Sequence, residues 1–519
     1  MADSTRLLLY HQNSSDPIIY HQDYDEHNLS SLSSAIDKCI GDKLNRTQFL
    51  QALLISFSWI FDGQQTFITV FTDAYPSWHC IDNPCNSSAI TNMCTLPKYS
   101  WAWDGPTHAS IISEFGLECS SSFIMGLPAS MFFAGCLVGG LVLATLADSS
   151  FGRKNMLFFS CLIMSLSSFL ATFSANVWVY SALKFLSGFG RGTVGTATLV
   201  LVSELVAKGW RGKLGVMGFF FFSIGFLTLS PLAYINQGFS WRNLYLCTSL
   251  PSILYCGLVY FFVPESPRWL LIRGKKEEAM KILKNINTSI THSSLNFAIS
   301  RLSLEEEVGS ADLYSALKIM LQNKWSSRRI LAITSMGLGI GLVYYGMPLG
   351  LGILSFNLYL SVTFNALSEI PSTLFTYVLL DKFNRRSVIF ILTIISGVSS
   401  VLATMEGVII MTRLQIVFEV ISFSCACTAC DVVLIYTTEL FPTSIRNSAL
   451  SLVRQAVALG GAFSPVLVAA GREHRFLCYG VFGLAIGCSG IFGVFLPETK
   501  GKAFCDTMDE EESKQELLR

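Results

Sequence analysis

The sequence carries little charge for its length, and this shortage excludes most classes of soluble protein. Of its 519 residues only 14% are charged, against roughly 25% in an average soluble domain. Lysine plus arginine and aspartate plus glutamate each total 36, so no basic surplus exists and we expect no nucleic-acid partner. The chain is instead 51% hydrophobic with a mean hydropathy of +0.49. These values are typical of a protein that crosses a lipid bilayer several times.

Long apolar runs occur twelve times, each close to the roughly 20 residues that a membrane-spanning helix needs. Six runs precede a charged central segment and six follow it, so we predict an all-α polytopic membrane protein built from two six-helix halves. The predicted spans 1 to 12 lie near 48–72, 123–147, 156–174, 178–203, 213–235, 243–263, 330–356, 358–380, 387–405, 411–437, 448–470 and 477–496. The halves therefore occupy 48–263 and 330–496.

The start of the chain lacks the apolar core of a signal peptide, which favours a cytosolic N-terminal tail, 1–47. The distribution of cations agrees with this orientation. The central segment 264–329 carries eleven lysines and arginines, whereas the loop 75–121 carries only Lys98. By the positive-inside rule the central segment and the C-terminal tail 497–519 are cytosolic, and the loop is extracytosolic.

Four cysteines lie in the extracytosolic loop, on an oxidising side of the membrane where disulfides persist. They are Cys80, Cys85, Cys94 and Cys119. Four cysteines allow three pairings, and the sequence does not choose among them. The sequon Asn86-Ser87-Ser88 in the same loop predicts a glycoprotein modified at Asn86.

Three motifs occur twice, and the two copies are separated by 233, 235 and 233 residues. Such steady separations indicate that the two halves are parallel repeats, with a substrate path between them near the middle of the bilayer. The repeated elements are Asp148 to Arg153 with Asp381 to Arg385, Glu204 and Arg211 with Glu439 and Arg446, and Pro264-Glu265 with Pro497-Glu498.

The repeated motifs resemble the major facilitator superfamily over about residues 47–501, and the run Pro264-Glu-Ser-Pro-Arg-Trp269 is similar to its sugar porters and organic ion transporters. Further stretches resemble the organic cation/carnitine transporters, in particular their plant members. These stretches are 59–67, 71–80, 344–346, 368–371 and 438–447. The resemblance implies a secondary active or facilitative transporter that moves organic cations, carnitine or both by alternating access.

The repeated acidic and basic residues lie at the cytosolic ends of the predicted spans, where they can pair between helices. We predict that they form a gate latch, made when the inner side closes and broken when it opens, since a wetted ion pair contributes only about 0–1 kcal/mol. The alternative is that they only fix the topology. The predicted gating residues are Asp148, Arg153, Glu204, Arg211, Asp381, Arg385, Glu439 and Arg446.

Ionisable residues within the spans are functional candidates, because a charge at membrane depth costs about 3 kcal/mol or more. Glu369 in span 8, with Tyr344 and Tyr345 in span 7, would attract an amine through charge and cation–π contact. The resemblance also places these three at the central cavity, although helix packing is the alternative role for the tyrosines.

Two further ionisable residues lie within spans of the first half. Asp62 in span 1 is either a proton-coupling carboxylate or the structural partner of a cation in span 4 such as Arg191. Lys184 lies near the outer end of span 4, from where a long side chain can reach the membrane interface, so we rank it below the other charged residues within the spans.

Span 11 departs from the pattern of the resembling family. Cation-preferring relatives carry an aspartate and carnitine or anion relatives an arginine at the position of Ala458, whereas Arg454 lies four residues earlier on the same helical face. We predict that Arg454 holds a carboxylate, so that with Glu369 the site suits a zwitterion such as carnitine. The alternative is an ion pair of Arg454 with Glu419 or Asp431. The predicted substrate-binding residues are Tyr344, Tyr345, Glu369, Arg454, Gln455, Asp62 and Arg191.

The N-terminal tail contains an acidic dileucine pattern formed by Asp3, Leu7 and Leu8. Sorting adaptors read such patterns, and plant members of the resembling family divide between two membranes. We therefore predict the vacuolar membrane, with the plasma membrane as the alternative and a sorting adaptor as a partner. We expect a monomeric transport unit and no cofactor or metal site, apart from a coupling proton or sodium ion.

Two other functions remain open at this point. A sugar–proton symporter would share the run at 264–269, and a nutrient sensor would bind a ligand in the membrane without transporting it. The duplicated gate motifs favour transport, and the tails are too short for a signalling domain. No nucleophile lies near a base in the sequence pattern, so we expect no enzymatic activity and no catalytic residues.

Overall fold

The computed structural model describes residues 36–37, 39–81, 93–146, 151–286, 313–354, 356–405, 409–442, 445–472 and 474–500, with Met508 and Glu512. Over these ranges the chain is almost wholly helical, and its only strands form one short hairpin. Twelve long helical elements, α1 to α12, follow the twelve predicted spans. The predicted all-α fold is confirmed.

The first half contains α1 to α6. α1 runs in three segments, Arg46–Ser56, Ser58–Phe67 and Thr69–Thr72. It is followed by α2 (Ser122–Leu146), α3 (Arg153–Ala171), α4 (Val177–Leu205), α5 (Arg211–Ile235) and α6 (Trp241–Phe262). Three short helices, Pro267–Ile272, Lys276–Ile286 and Leu313–Gln322, lie between the halves.

The second half contains α7 to α12, and α7 begins at Lys324 rather than near the predicted residue 330. α12 starts as a π-helix and continues as an α-helix and a 3₁₀ turn. The elements are α7 (Lys324–Gly350), α8 (Leu358–Lys382), α9 (Arg385–Leu402), α10 (Ile409–Leu440), α11 (Arg446–Ala470) and α12 (Phe476–Gly480, Val481–Ile491, Phe492–Phe495).

Ten of these helices are long and apolar enough to cross a membrane. The other two differ for visible reasons, because α1 is divided into segments and α8 carries the polar Asn365 and Glu369. Large apolar side chains face outward around the bundle; Leu254 and Phe261 of α6, for example, are 73% and 77% exposed. Such a surface needs lipid around it. The chain is therefore an integral multi-pass membrane protein.

The loop before α2 contains the hairpin, and we call its side of the bundle the outer side. Strands β1 (Trp78–Cys80) and β2 (Trp101–Trp103) pair antiparallel. A disulfide joins Cys94 to Cys119, and Cys80 is also disulfide-bonded. Cys85 and the glycosylation candidate Asn86 lie outside the described residues. The opposite side, which carries the short helices between the halves, is called the inner side.

The two halves pack through α2 against α11 and through α5 against α8. Gly126 of α2 lets the backbones approach closely, because a Cβ there would stand 2.8 Å from the carbonyl of Pro465. Near the outer end of the other interface, the Ser230 hydroxyl donates to the carbonyl of Tyr359 at 2.6 Å. These contacts bring the outer ends of the halves together.

Arg472, just after α11, adds a further contact between the halves at the outer side. Its guanidinium donates to the Asp73 carbonyl at 3.4 Å and lies 5.0 Å from the centre of the Tyr75 ring. Tyr75 in turn donates to the sulfur of Met93, next to the Cys94 disulfide. The disulfide-bonded loop and the second half therefore contact the same short stretch after α1.

Candidate substrate site between the two halves

The first half contributes a buried ion pair to the centre of the molecule. Arg191 of α4 donates from Nε to Asp62 Oδ1 of α1 at 2.5 Å, and the two side chains are only 12% and 5% exposed. The same guanidinium also donates to the sulfur of Cys136 at 3.7 Å. The charge of Asp62 is thus matched within its own half, which is the structural alternative considered for this residue.

The second half contributes a buried carboxylate without a cation. Tyr344 of α7 donates its hydroxyl to Glu369 Oε1 of α8 at 2.7 Å, and its ring stacks on Phe423 of α10 at 6.0 Å between centres. The other oxygen, Glu369 Oε2, is buried and has no hydrogen-bond partner. Among the described residues, no arginine or lysine pairs with this acid.

The two adjacent tyrosines face different halves. Whereas Tyr344 bonds to Glu369, the Tyr345 hydroxyl accepts a long hydrogen bond of 3.5 Å from Arg191. Its ring packs 4.6 Å from that of Phe133 on α2. The structure therefore brings Tyr344 and Glu369 together as predicted, but it places Tyr345 against the arginine of the first half.

Arg454 of α11 points toward the same central region. It lies within electrostatic range of Asp62 and Tyr345, and it forms no ion pair with any described acid. The two acids considered as its partners bond elsewhere: Glu419 accepts from Asn365 at 2.9 Å, and Asp431 accepts from Thr376 at 3.4 Å.

Gln455, the next residue of α11, faces α2 of the first half. Its side chain packs against Gly140 of α2, where an added Cβ would overlap the amide nitrogen. The amide oxygen of Gln455 is buried without a hydrogen-bond partner. Gln455 therefore helps form the α2–α11 contact.

At the inner side, the repeated acid and arginine motifs form one ion pair in each half. Arg385 at the start of α9 donates from Nε and Nη2 to the two carboxylate oxygens of Glu439 at the end of α10, both at 3.0 Å. In the first half, Arg153 of α3 lies 3.7 Å from Glu204 of α4. Both pairs join neighbouring helices within a half.

The repeated Pro-Glu motif also has a structural role in each half. Glu265 accepts the backbone N–H of Arg153 at 2.9 Å, at the start of α3. Glu498 accepts that of Arg385 at 3.0 Å, at the start of α9. A carboxylate at a helix N-terminus satisfies donors that the helix leaves unpaired. The repetition of Pro-Glu in the sequence marks these two glutamates, but their helix-capping role is visible only in the fold.

The remaining predicted gating residues are less symmetric. Arg211 pairs with Asp37, a residue before α1 that sequence analysis did not single out. Arg446 donates to the Phe441 carbonyl at 3.4 Å, and the Asp381 side chain is exposed. Asp148 lies outside the described residues.

Comparison with known proteins identifies the chain. A family model for sugar (and other) transporters matches residues 81–509. The chain is 56% identical to organic cation/carnitine transporter 3 of Arabidopsis thaliana, over 99% of this chain and 98% of that relative. It is 50% identical to organic cation/carnitine transporter 2 of the same plant, over the same shares. The chain belongs to the organic cation/carnitine transporter family.

Solved structures agree on the fold of this family member. The xylose transporter XylE from E. coli, in an inward open conformation, aligns over 90% of this chain and 99% of that chain with a TM-score of 0.62. At 18% identity this likeness shows the major facilitator fold alone. Membership of this family establishes a transporter that works by alternating access, rather than an enzyme.

One expectation about this transporter is wrong. Lys184 does not reach the membrane interface; it is 1% exposed, and its ammonium lies 4.6 Å from the centre of the Phe132 ring and 5.6 Å from that of Tyr245. Asp73 acts on it electrostatically from the end of α1. Aromatic rings and a nearby acid surround the ammonium group in place of the interfacial water that was expected there.

Proposed function

We propose that this transporter moves organic cations, carnitine or both through the cavity between its halves. The observation that carries the proposal is the open oxygen of Glu369, buried beside the aromatic rings of Tyr344 and Phe423. A buried carboxylate without a cation of its own attracts a positively charged ligand, and neighbouring aromatic faces stabilise an ammonium group. The relatives named above are organic cation/carnitine transporters, which supports this substrate class.

Arg454 is the proposed ligand for the carboxylate of a zwitterion. Its charge has no acidic partner among the described residues, and it lies within electrostatic range of Tyr345 and Asp62. Carnitine would then place its ammonium at Glu369 and its carboxylate at Arg454. Asp62 and Arg191 neutralise each other, so they shape the cavity wall and leave the selection of charge to the second half.

The inner ion pairs fit a gate in each half. Arg153–Glu204 and Arg385–Glu439 are both formed in a structure whose outer ends are in contact. Each pair joins two helices of one half and does not link the two halves. The inner side can therefore open in two ways: a pair breaks, or its two helices move as one unit. We propose that the pairs set the rate of this step, and that Arg211 and Arg446 support it.

Uptake by the purified protein in liposomes tests the substrate class. We expect saturable uptake of labelled choline, carnitine or both, and none of xylose, because a neutral sugar leaves Glu369 without a counter-charge. Vesicles without protein provide the background. Xylose uptake without cation uptake would favour a sugar–proton symporter, and ligand binding without any uptake would favour a nutrient sensor.

The role of Arg454 is tested by comparing two substrates in one variant. Arg454→Ala should reduce carnitine uptake by roughly 10- to 100-fold, the range expected when a charge-assisted hydrogen bond is lost, while choline uptake changes less than about threefold. Arg454→Lys is the matched control, since it keeps the charge. Equal losses for carnitine and choline in Arg454→Ala would show that the residue is structural.

The compartment is proposed from the N-terminal tail. Asp3, Leu7 and Leu8, which lie outside the described residues, form an acidic dileucine pattern, and we propose that a sorting adaptor reads it to direct the transporter to the vacuolar membrane. A fluorescent fusion with Leu7 and Leu8 changed to alanine should move to another membrane. If the location does not change, the dileucine pattern does not direct sorting. If the unmutated fusion lies in the plasma membrane, the vacuolar proposal is wrong.

A further inference from the structure

Glu419 is a second buried acid of the second half, next to the substrate site on its outer side: its partner Asn365 lies one turn of α8 before Glu369. It lies on α10 with none of its surface exposed, and its Oε2 accepts a hydrogen bond from Asn365 Nδ2 of α8 at 2.9 Å. Glu439 at the inner end of the same helix lies twenty residues further on, or about 30 Å at 1.5 Å per residue. That distance is close to the thickness of the hydrocarbon core, so Glu419 lies toward its outer boundary.

The pair formed by Glu419 and Asn365 leaves two acceptors unsatisfied. Glu419 Oε1 and Asn365 Oδ1 are both buried without a hydrogen-bond partner. An ionised carboxylate and an amide oxygen cannot bond to each other, because each can only accept. A proton on Glu419 Oε1 would turn that atom into a donor. We infer that it would donate to the Asn365 amide oxygen, because the amide nitrogen of that side chain already bonds to the other oxygen of the same carboxyl group. One proton would therefore satisfy both groups.

No positive charge compensates Glu419 in the described chain. The groups that act on it are Asn365 from α8 and, within electrostatic range, the Tyr479 phenol from α12. Arg475, before α12, donates to Gln415 one turn nearer the outer end of α10. The described faces of α7, α9 and α11 add no titratable group. Burial of an ionised acid without a cation is strongly unfavourable, which again favours the protonated form.

The repeat between the halves sharpens this contrast. Lys184 and Glu419 are 235 residues apart, the same separation as Glu204 and Glu439. Phe132 and Asn365 are 233 residues apart, the separation of the other two repeated motifs. Lys184 packs against Phe132 just as Glu419 bonds to Asn365. Corresponding positions thus hold a buried base and a buried acid, but only the base has an opposite charge nearby, Asp73.

We propose that Glu419 is a proton-binding site, loaded from the outer side, whose occupancy allows the outer ends of the halves to close. When the outer side opens, water reaches Glu419 and the acid ionises; when it closes, the acid is buried and holds a proton against Asn365. Since the closed form binds the proton more tightly, acid on the outer side shifts the population toward closure. The inference rests on the proposed transport function, of which it specifies the regulation.

The test measures transport as a function of pH on each side separately. Proteoliposomes, with their orientation determined by protease access to the 264–329 segment, carry out exchange of labelled choline or carnitine. As the outer pH falls from about 7.5 to about 5.5, we expect the wild-type rate to rise at least threefold, within the limit of tenfold per pH unit for one proton. The same change on the inner side should have little effect.

Two variants test whether Glu419 causes the dependence of the rate on outer pH. Glu419→Gln keeps the shape and donates an N–H to Asn365 as the protonated acid would, so its rate should stay near the acid wild-type rate and vary less than twofold with outer pH. Glu419→Asp keeps a titratable group and should retain the dependence. Infrared difference spectra supply an independent readout: the band of a protonated carboxylic acid in the wild type should be absent from Glu419→Gln.

Several outcomes would overturn the proposal. It fails if Glu419→Gln keeps the wild-type pH dependence, if the folded and ligand-binding variant no longer transports, or if acid on the inner side is equally effective. A response to sodium in place of acid, lost in Glu419→Gln, would assign the site to sodium and overturn proton binding. Absence of saturable transport by the wild type is a separate result, since it rejects the proposed function itself.

Discussion

The inner ends of the two halves are built alike, whereas their centres are not. Each half has an arginine paired with the acid that ends the neighbouring helix, Arg153–Glu204 and Arg385–Glu439, and a second acid that caps the helix carrying the arginine. At the centre, the first half neutralises its acid with Arg191. Among the described residues, the second half provides Glu369 with the Tyr344 hydroxyl and with no cation.

This difference separates two demands on a duplicated transporter. The parts that move must move in both halves, so the same ion pairs and caps are present twice. The part that selects a substrate must present one unbalanced charge, and a symmetric site would present two. We propose that the repeated residues serve the movement of the helices and that the residues breaking the repeat select the substrate.

We expect the largest effect, a loss of stability, when one partner of the buried ion pair in the first half is removed. Asp62→Asn leaves the Arg191 guanidinium buried without its counter-charge, and removal of one partner from a buried pair costs about 3–5 kcal/mol. The melting temperature of the detergent-purified protein should fall accordingly. The double variant Asp62→Asn/Arg191→Gln should recover most of the loss. If the double variant is as unstable as the single one, Asp62 does not act by balancing Arg191.

The next effect concerns the unbalanced acid. Glu369→Gln should lower kcat/KM for choline by roughly 100-fold, because a charged interaction of about 2–3 kcal/mol is lost, while the melting temperature stays the same or rises. Asp431→Asn is the matched control, as it removes another acid within the helices of the same half. A similar loss of choline transport in both variants would show a general intolerance of substitution rather than substrate binding.

A smaller effect should distinguish the adjacent tyrosines. Tyr344→Phe removes a 2.7 Å hydrogen bond to Glu369 and should reduce choline transport roughly tenfold, as expected for a bond to a charged group. Tyr345→Phe removes only the 3.5 Å contact with Arg191 and should change transport less than about threefold. Initial rates of uptake, normalised to reconstituted protein, measure both. The reverse order would place the substrate against the first half.

The smallest effect should rank the two inner pairs. Glu439→Gln removes the negative charge and one acceptor from a pair joined by two hydrogen bonds of 3.0 Å, whereas Glu204→Gln removes the charge from a single contact of 3.7 Å. We expect the maximal rate to change by about fivefold in the first variant and by less than twofold in the second, with KM unchanged in both, since partly wetted pairs contribute about 1 kcal/mol or less. A change in KM alone would argue against a gate.

Hydrophobic run length and motif repetition predicted the architecture well. A spanning helix needs a long apolar run, so the spans are visible in the sequence without tertiary information. The resemblance likewise placed Glu369 beside Tyr344. These features depend on local composition or on matching spacing, and both can be read from one chain.

Partners in space could not be predicted in the same way. Asp62 had two possible roles because the choice depends on how α1 meets α4, and Tyr345 turns to Arg191 although its neighbour turns to Glu369. Lys184 was assigned to the interface from its position along α4, but the packing of α2 and α6 encloses it. Rotation of a helix about its axis decides such cases, and an almost uniformly apolar helix gives little sign of it.

The contact of Arg472 with Asp73 and Tyr75 has a practical consequence for trapping this protein. These residues adjoin the folded outer loop, which the Cys94–Cys119 disulfide closes. A nanobody raised against that loop would touch a surface whose shape depends on where the second half stands. Such a nanobody would be both a marker for structure determination by electron microscopy and a reporter of the transport cycle in proteoliposomes.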